Sequence, residues 1–378
     1  MRVGMFTYFG FPPDIRIENE ANALVEAGHD VTVLASERIT RHHVHALDAV
    51  RVKYVRLPYG PFPLASPPYL RRILRSCNLD VLHIQDAPGS SAAAIAARSL
   101  SLKVVLDLHE VWFLLRLYDP RLGGWRSPLK FAHLAWTSCE DLVSTRISDV
   151  VITIVEEMSD YYQRRFGVSP GKLHAIKNLV NLREFTGLTP AELPSQGFYV
   201  TYVGGMESYI RNLEPIVRAA SHLVDMPDIK FLMVGDGAYR PRLEQMAKTL
   251  GVQDKLIFAG RVPRDKALSY MLASDICILP HLRTPLTDMG LPHKITQYLA
   301  AGKPVISTPL RPITRMFSEA IYQWYPSTPE RLSEIVRDLY SNPALRQGLA
   351  LAGYDLVHKE YNWEIEKKKL ISIYDSLS

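Results

Sequence analysis

Short runs rich in valine and isoleucine recur along almost the whole chain, separated by longer segments of helical period. This alternation marks βαβ units, because parallel strands are buried on both faces and so read as continuous apolar runs. In the first half the runs are Val3–Tyr8, Val31–Leu34, Val50–Arg56, Val81–Ile84, Val104–Asp107, Val150–Ile154 and Leu173–Ile176. A second series follows at Tyr199–Val203, Lys230–Val234, Lys255–Phe258, Ile276–Leu279 and Val305–Ser307. Between the two series EFTGLTPAELPSQG, Glu184 to Gly197, is polar and punctuated by Pro and Gly, as a linker is. No fixed-period repeat occurs, so two doubly wound, Rossmann-like α/β domains are expected, with a ligand between them. A length of 378 residues suits two domains.

Apolar residues at 47% and charged residues at 22% exclude disordered and coiled-coil classes. The net charge of +5 is too small to point to nucleic acid, and none is expected as a partner. Its distribution is uneven: Arg51 to Lys130 holds twelve basic and five acidic residues. Cys77, Cys139 and Cys277 lie far apart without a C-x-x-C pair, which fits a reducing compartment and supports neither disulfide nor zinc. The opening MRVGMFTYFGFPPD lacks the pattern of a signal peptide, and no apolar run is long enough to span a membrane. A cytoplasmic protein is expected, with contact at the inner face of a membrane left open.

In open α/β sheets ligands bind beyond the carboxyl ends of strands, so residues just after each strand carry the argument. Gly235-Asp236-Gly237 follows a strand and reads either as a tight βα turn or as backbone kept bare for a ligand. In Met289-Gly290-Leu291-Pro292-His293-Lys294, Pro292 suits a first helical position and Gly302 a position just past the helix end. That start would offer the N–H groups of Leu291 and His293 to a phosphate beside the charge of Lys294, with Gln297 on the same face. His109, in DLHE at a strand end, is placed to hydrogen-bond a ligand hydroxyl. Arg16 either reaches an anion or pairs with Glu20 one turn on. Arg41-His42-His43-Val44-His45 lacks Cys or acidic support at ligand spacing and reads as a solvated loop; no metal is expected. No Ser-His-Asp order, H-E-x-x-H, Walker loop or complete G-x-G-x-x-G occurs, which argues against hydrolase, metalloprotease, P-loop and ordinary dehydrogenase chemistry.

Phe231 to Pro280, FLMVGDGAYRPRLEQMAKTLGVQDKLIFAGRVPRDKALSYMLASDICILP, together with AAGKPVIST (Ala300 to Thr308), resembles the second-domain core of the group 1 nucleotide-sugar glycosyltransferases. FPPDIRIENEANALVEAGHDVTVL, DLHEVW and SDVVITIVEEMSDYYQRRFGVSPGKLHAIKN extend that resemblance into the first domain, so it covers nearly the whole chain. It implies the GT-B fold, two Rossmann-like domains facing each other across a cleft: residues 1–187 on the acceptor side, 188–361 for the donor, and a helix in 362–378 crossing back to the first domain. It also implies that Arg261 and Val262 meet the nucleotide base, and that Gly10, Gly205 and the Gly290-Leu291 segment surround the diphosphate. His109 would stand beside the transferred sugar.

The chain departs from the family pattern at several positions. Two acidic positions of the usual motif are Met289 and Gln297 here. The Gln297 carbonyl oxygen can still accept from ribose hydroxyls without charge assistance, and Asp288 is the carboxylate next to Met289 that is left to hold the donor sugar. A usual diphosphate cation is replaced by Gly205, with Arg211 offset nearby, so Arg16 or Lys294 is expected to stabilise the leaving group. The resemblance implies transfer of a sugar from a nucleotide diphosphate donor, UDP or GDP, to an acceptor nucleophile with retention. It implies as well that neither a metal nor a further cofactor takes part. The acceptor is either lipid-linked, met through the basic stretch and the aromatic residues Trp112, Phe113 and Trp125, or a small molecule or peptide. A noncatalytic nucleotide-sugar-binding protein and a GT-B epimerase are the alternatives.

Overall fold

The computed structural model describes residues 1–9, 11, 14–36, 49–55, 66–123, 127–207 and 209–377. The chain forms two compact units: Met1–Asn178 with Glu364–Ser378, and Leu179–Trp363. The expected boundaries at 187 and 361 thus fall at 178 and 363. The segment just before the Pro/Gly-punctuated stretch is bonded into the second unit: Val180 N–H donates to Thr296 Oγ1 at 3.1 Å, and Trp363 N–H donates to the Val180 carbonyl at 2.9 Å. A polar composition therefore marks where the chain is exposed, not where one unit ends.

The first unit is built on β1 (Arg2–Thr7), β2 (Asp30–Ser36), β3 (Arg51–Val55), β4 (Val81–Gln85), β5 (Lys103–Leu108), β6 (Val150–Thr153) and β7 (Leu173–Ala175), all parallel, in the order β3-β2-β1-β4-β5-β6-β7. Helices α1 (Ile15–Glu26), α2 (Pro67–Arg75), α3 (Ser90–Arg98), α4 (Trp112–Leu117), α5 (Pro128–Ile147) and α6 (Glu156–Phe166) connect them. In register, Phe6 of β1 lies between Leu34 of β2 and Ile84 of β4, and all three are buried, which explains the unbroken apolar runs. The order reverses between β1 and β4, so the ends of β1, β4 and β5 border the natural ligand crevice of this unit.

Helix α1 starts at that crevice. Asp14 caps it, its carboxylate accepting from the N–H groups of Arg16 (2.9 Å) and Ile17 (3.2 Å). Its inner face buries Ile17, Ala21 and Leu24, as the period predicts, but also Arg16 and Glu20. The last helix of the chain, which follows the second unit in sequence, belongs to this first unit for nearly its whole length: it buries Leu370, Ile373 and Tyr374, and Glu366 accepts from Lys177 N–H at 2.9 Å.

The second unit holds β8 (Phe198–Val203), β9 (Ile229–Val234), β10 (Leu256–Gly260), β11 (Ile276–Leu279), β12 (Val305–Ser307) and β13 (Tyr322–Gln323) in the order β10-β9-β8-β11-β12-β13. Around them lie α7 (Glu214–Ser221), α8 (Arg240–Thr249), α9 (Arg264–Ala273), α10 (Lys294–Ala300), α11 (Arg311–Phe317), α12 (Pro329–Ser341) and α13 (Pro343–Lys359). Strand β13 is not among the sequence expectations, since two residues carry no period. The core centres on Tyr202, Phe231, Met233 and Trp324.

The Gly235-Asp236-Gly237 turn resolves in favour of packing. Gly235 has φ +134°, and a Cβ there would lie 1.9 Å from the Gly204 carbonyl oxygen; one at Gly237 would lie 2.4 Å from the Met206 carbonyl carbon. These glycines let the turn after β9 press against the loop after β8, and Gly235 N–H donates to the Gly260 carbonyl at 2.8 Å. Gly235→Ala is expected to lower stability by at least about 2 kcal/mol, read as a fall in Tm of roughly 4–8 °C. A melting curve within one degree of the parent would show that the turn relaxes freely.

Candidate active site

Polar side chains gather at the carboxyl ends of the strands in each unit. In the first, Asp107 is the penultimate residue of β5 with its side chain fully buried, and Arg16 grips it with two hydrogen bonds, Nε to Oδ2 and Nη2 to Oδ1, both 2.7 Å. A third Arg16 bond, Nη1 to the Ile176 carbonyl at 2.9 Å, ties α1 to the segment after β7. Glu20 lies 3.1 Å from Arg16 Nε, so the pairing read one turn along the helix is present, while the dominant partner is Asp107, ninety-one residues away. Burial pushes Glu20 up to about 8 despite Arg16, whereas Asp107, although buried, is held well below the usual carboxylate range by Arg16 and His109. Arg16 is thus 4% exposed and committed within the unit, which speaks against the expected diphosphate contact.

His109 follows β5, as its place in DLHE predicts. Its Nε2 is 2.8 Å from Gln85 Oε1 and 3.4 Å from Asp107 Oδ2. Burial opposes a charged ring, but Asp107 outweighs it and raises His109 to about 9, helped by Asp86. Gln85 Nε2 in turn donates to Glu20 Oε2 at 3.0 Å. His83 is buried against Glu20 and Asp107, and burial lowers it to about 4. Its Nδ1 meets the Tyr374 hydroxyl at 2.9 Å. Glu20, His83 and Asp107 have ligand spacing for a cation, and the Arg16 guanidinium already supplies positive charge there. Beside His109, Trp112 stacks on Phe9 at 5.8 Å and carries Arg116 5.0 Å from its ring centre, while Arg165 lies 3.9 Å from the Phe113 ring. Much of that aromatic run is therefore packing. Gly10, Trp125 and the His42, His43, His45 loop lie outside the described residues.

In the second unit α10 runs from Lys294 to Ala300, starting two residues later than Pro292 implies, with Gly302 just past its end at φ +67°. Lys294 Nζ donates to Gln297 Oε1 at 2.8 Å, and Gln297 Nε2 donates to Glu184 Oε2 at 3.2 Å. Glu184 also pairs with Arg264. The Gln297 oxygen expected to receive ribose hydroxyls is therefore engaged by Lys294, and the carboxylate present at this spot is Glu184. Sequence reading missed it because Glu184 stands where linker composition begins; a 3₁₀ turn, Leu182–Phe185, brings it in. Burial lowers Lys294 to about 8, and Arg264 and Arg211 crowd it further, against the attraction of Glu184.

Arg211 Nη1 lies 2.5 Å from His281 Nε2, and burial lowers His281 to about 3, so a neutral imidazole accepts from the guanidinium. Asp288 does not take the place of Met289: its Oδ1 caps α11 by accepting from Arg311 N–H at 2.9 Å, and its Oδ2 accepts from Arg283 Nε at 3.2 Å. Met289 and Gly290 are half-buried and Leu291 is buried, so any part for Leu291 falls to its backbone. Gly205, after β8, keeps its carbonyl bonded to the Tyr202 hydroxyl at 2.8 Å. Arg261 is 80% exposed, with Glu207 at 4.0 Å, and Val262 is half-buried beside it.

Two parallel-sheet units with polar clusters at their strand ends define a Rossmann-like, two-domain α/β class. Residues 15–184 match the model of Glycosyltransferase Family 4, and residues 189–355 match that of Glycosyl transferases group 1. An uncharacterized glycosyltransferase of Methanocaldococcus jannaschii is 22% identical over 99% of this chain and 98% of its own length. The phosphatidylinositol N-acetylglucosaminyltransferase of Arabidopsis thaliana has a component that is 22% identical over 99% of this chain and 82% of its own length. HepE of Anabaena, solved in complex with UDP, superposes with a TM-score of 0.75 at 14% identity, covering 100% of both chains. The chain belongs to the group 1 glycosyltransferases of GT-B fold, and it is a glycosyltransferase.

A lysine whose folded pKa is depressed carries a penalty that is fully present below that pKa and relieved as pH rises toward the unfolded value. Lys294→Met is therefore expected to raise stability at pH 7 by on the order of 1 kcal/mol, after allowance for solvent screening, and to lose that advantage by about pH 10. Urea unfolding at the two pH values checks this; equal gains at both would mean that Lys294 is not desolvated.

Proposed function

We propose that the protein transfers a sugar from a nucleotide diphosphate sugar to a hydroxyl or similar nucleophile with retention at the anomeric carbon, without a metal in the reaction. The observation that carries this reading is Lys294, desolvated and crowded by Arg264 and Arg211, a concentration of positive charge that a diphosphate would relieve. Cations fixed in this way stabilise the negative charge that develops on a departing nucleotide, the work a metal does elsewhere. UDP, which the Anabaena neighbour binds, and GDP are the candidate leaving groups. Arg261 and Val262 are assigned to the base. Glu184 and Gln297 are assigned to polar groups of the nucleotide, and His109 to the transferred sugar. In a front-face mechanism the departing phosphate accepts the acceptor's proton, so no protein nucleophile is required.

We further propose an acceptor met at an anionic membrane surface on the inner face of a membrane. No helix among the described residues is long and apolar enough to cross a membrane, so contact would be peripheral. Helix α2 exposes Arg71, Arg72, Arg75 and Tyr69, and the neighbouring edge strand β3 exposes Lys53 and Tyr54. Lys53 Nζ reaches Ser76 Oγ at 3.1 Å, which joins the two elements into one cationic and aromatic surface. The basic stretch contributes less than its count implies, because Arg98 pairs with Asp149, Arg121 with Asp119, and Lys130 is buried. The Arabidopsis relative is named for a phosphatidylinositol substrate, which is in keeping with this reading.

A thermal-shift screen of UDP-, GDP-, ADP- and dTDP-sugars should raise Tm for one base class by mass action. With that donor, His109→Ala is expected to lower turnover about a hundredfold while the nucleotide Kd stays within about twofold. Unchanged turnover would remove His109 from the chemistry, and tight binding without turnover on any acceptor would favour a nucleotide-sugar-binding protein. Co-sedimentation with phosphatidylglycerol vesicles should be strong at low salt and weak at high salt; absence of binding at both ends the membrane reading.

A further inference from the structure

We infer that Gln85 and Asp107, themselves anchored by Glu20 and Arg16, are positioning residues that hold His109 in one orientation and proton arrangement, with Nε2 as an N–H donor to the protein and Nδ1 left to face a sugar oxygen. The inference rests on the reading of His109 as the group that touches the transferred sugar, and it adds the machinery that fixes how it does so.

The proton arrangement follows from donors and acceptors. Gln85 Nε2 gives a hydrogen to Glu20 Oε2 at 3.0 Å, which turns the other end of the amide, Oε1, toward His109 Nε2 at 2.8 Å. A carbonyl oxygen only accepts, so Nε2 must carry a hydrogen. Asp107 Oδ2, a second acceptor, lies 3.4 Å from the same nitrogen. Asp107 cannot turn away, because both its oxygens are held by Arg16 at 2.7 Å. His109 Nδ1 makes no hydrogen bond to any described residue, while the ring is 19% exposed. One ring nitrogen is thus committed to the protein and the other kept for a ligand.

Among the described residues, the charged groups facing His109 come from three elements. Asp107 on β5 and Asp86 after β4 favour the imidazolium, and Arg16 on α1 opposes it; behind them stand Glu20 and the buried, uncharged His83. The balance favours the charged ring, so that near neutral pH Nδ1 also carries a hydrogen and donates to an oxygen of the sugar. Asp86 is itself held, with φ +70° and its Oδ1 accepting from Ala87 N–H at 2.9 Å.

The test uses the full chain. With histidine labelled in 15N, the His109 signals are identified by their loss in His109→Ala, and their shifts report tautomer and titration without any ligand. The parent is expected to show Nε2–H and a midpoint well above the ordinary 6.5, and Asp107→Asn to lower it by about two pH units. Gln85→Met keeps the side-chain volume while removing the nearer acceptor; with Asp107 still 3.4 Å from Nε2, it is expected to fold, to weaken the preference for Nε2–H that the neutral ring shows above its midpoint, and to lower kcat about tenfold with the donor KM little changed. In a His109→Ala background the same substitution should have no further effect on kcat. A His109 that titrates near 6.5 and is indifferent to both substitutions would overturn the inference, as would a Gln85→Met loss of equal size with and without His109. Full turnover in His109→Ala, with the expected His109 signature present in the parent, would sink the catalytic reading instead, so the two failures are told apart.

Discussion

The Arg16–Asp107 pair joins residues ninety-one positions apart beneath the end of the central sheet, with neither side chain open to water. Removing one partner would leave an uncompensated buried charge at a cost of about 3–5 kcal/mol, so the pair enforces its own geometry. Three elements depend on it: the start of α1, the end of β5, and, through the third Arg16 bond, the segment after β7 at Ile176. The strands around it are packed by apolar residues, and such packing sets which face of α1 meets the sheet but is tolerant of small shifts of the helix along it. Two directed hydrogen bonds are not.

The second unit handles charge differently. Among the described residues around Lys294 the cations outnumber the anions, and the carboxylate of Glu184 is shared between Arg264 and the Gln297 amide. Such a site is costly to keep folded, as functional sites often are, because binding chemistry and stability make opposite demands on a desolvated cation. Met289 and Gln297 bring no charge of their own to this unit, and the carboxylate bonded to Gln297 is that of Glu184. Asp288, the obvious neighbour, is taken up by α11 and two arginines.

Much of the architecture was legible because parallel strands announce themselves: each strand longer than two residues overlaps a run read as a strand from the sequence, most of them rich in Val and Ile. The two-residue β13 has no period to read. His109 was legible because it directly follows a strand in an α/β pattern, where ligands gather. Gln85 and Asp107 also stand at strand ends, yet nothing local separates them from other strand-end polar residues; their importance comes from meeting His109. Arg16 shows the limit from the other side. Its placement near a helix start suggests anion binding, and only its burial against Asp107 shows where its charge is used.

The amino-acid order alone determined two doubly wound units, their strands, the helix-ending glycine at 302 and the family resemblance, because these rest on periodicity and on residue types whose effect is local. Tertiary structure decided which polar groups meet: Arg16 with Asp107, Gln85 with His109, Gln297 with Glu184, and Asp288 with α11. Hydrogen bonds and ion pairs act over about 3 Å, and residues separated by tens of positions come within that reach only after the sheets have formed.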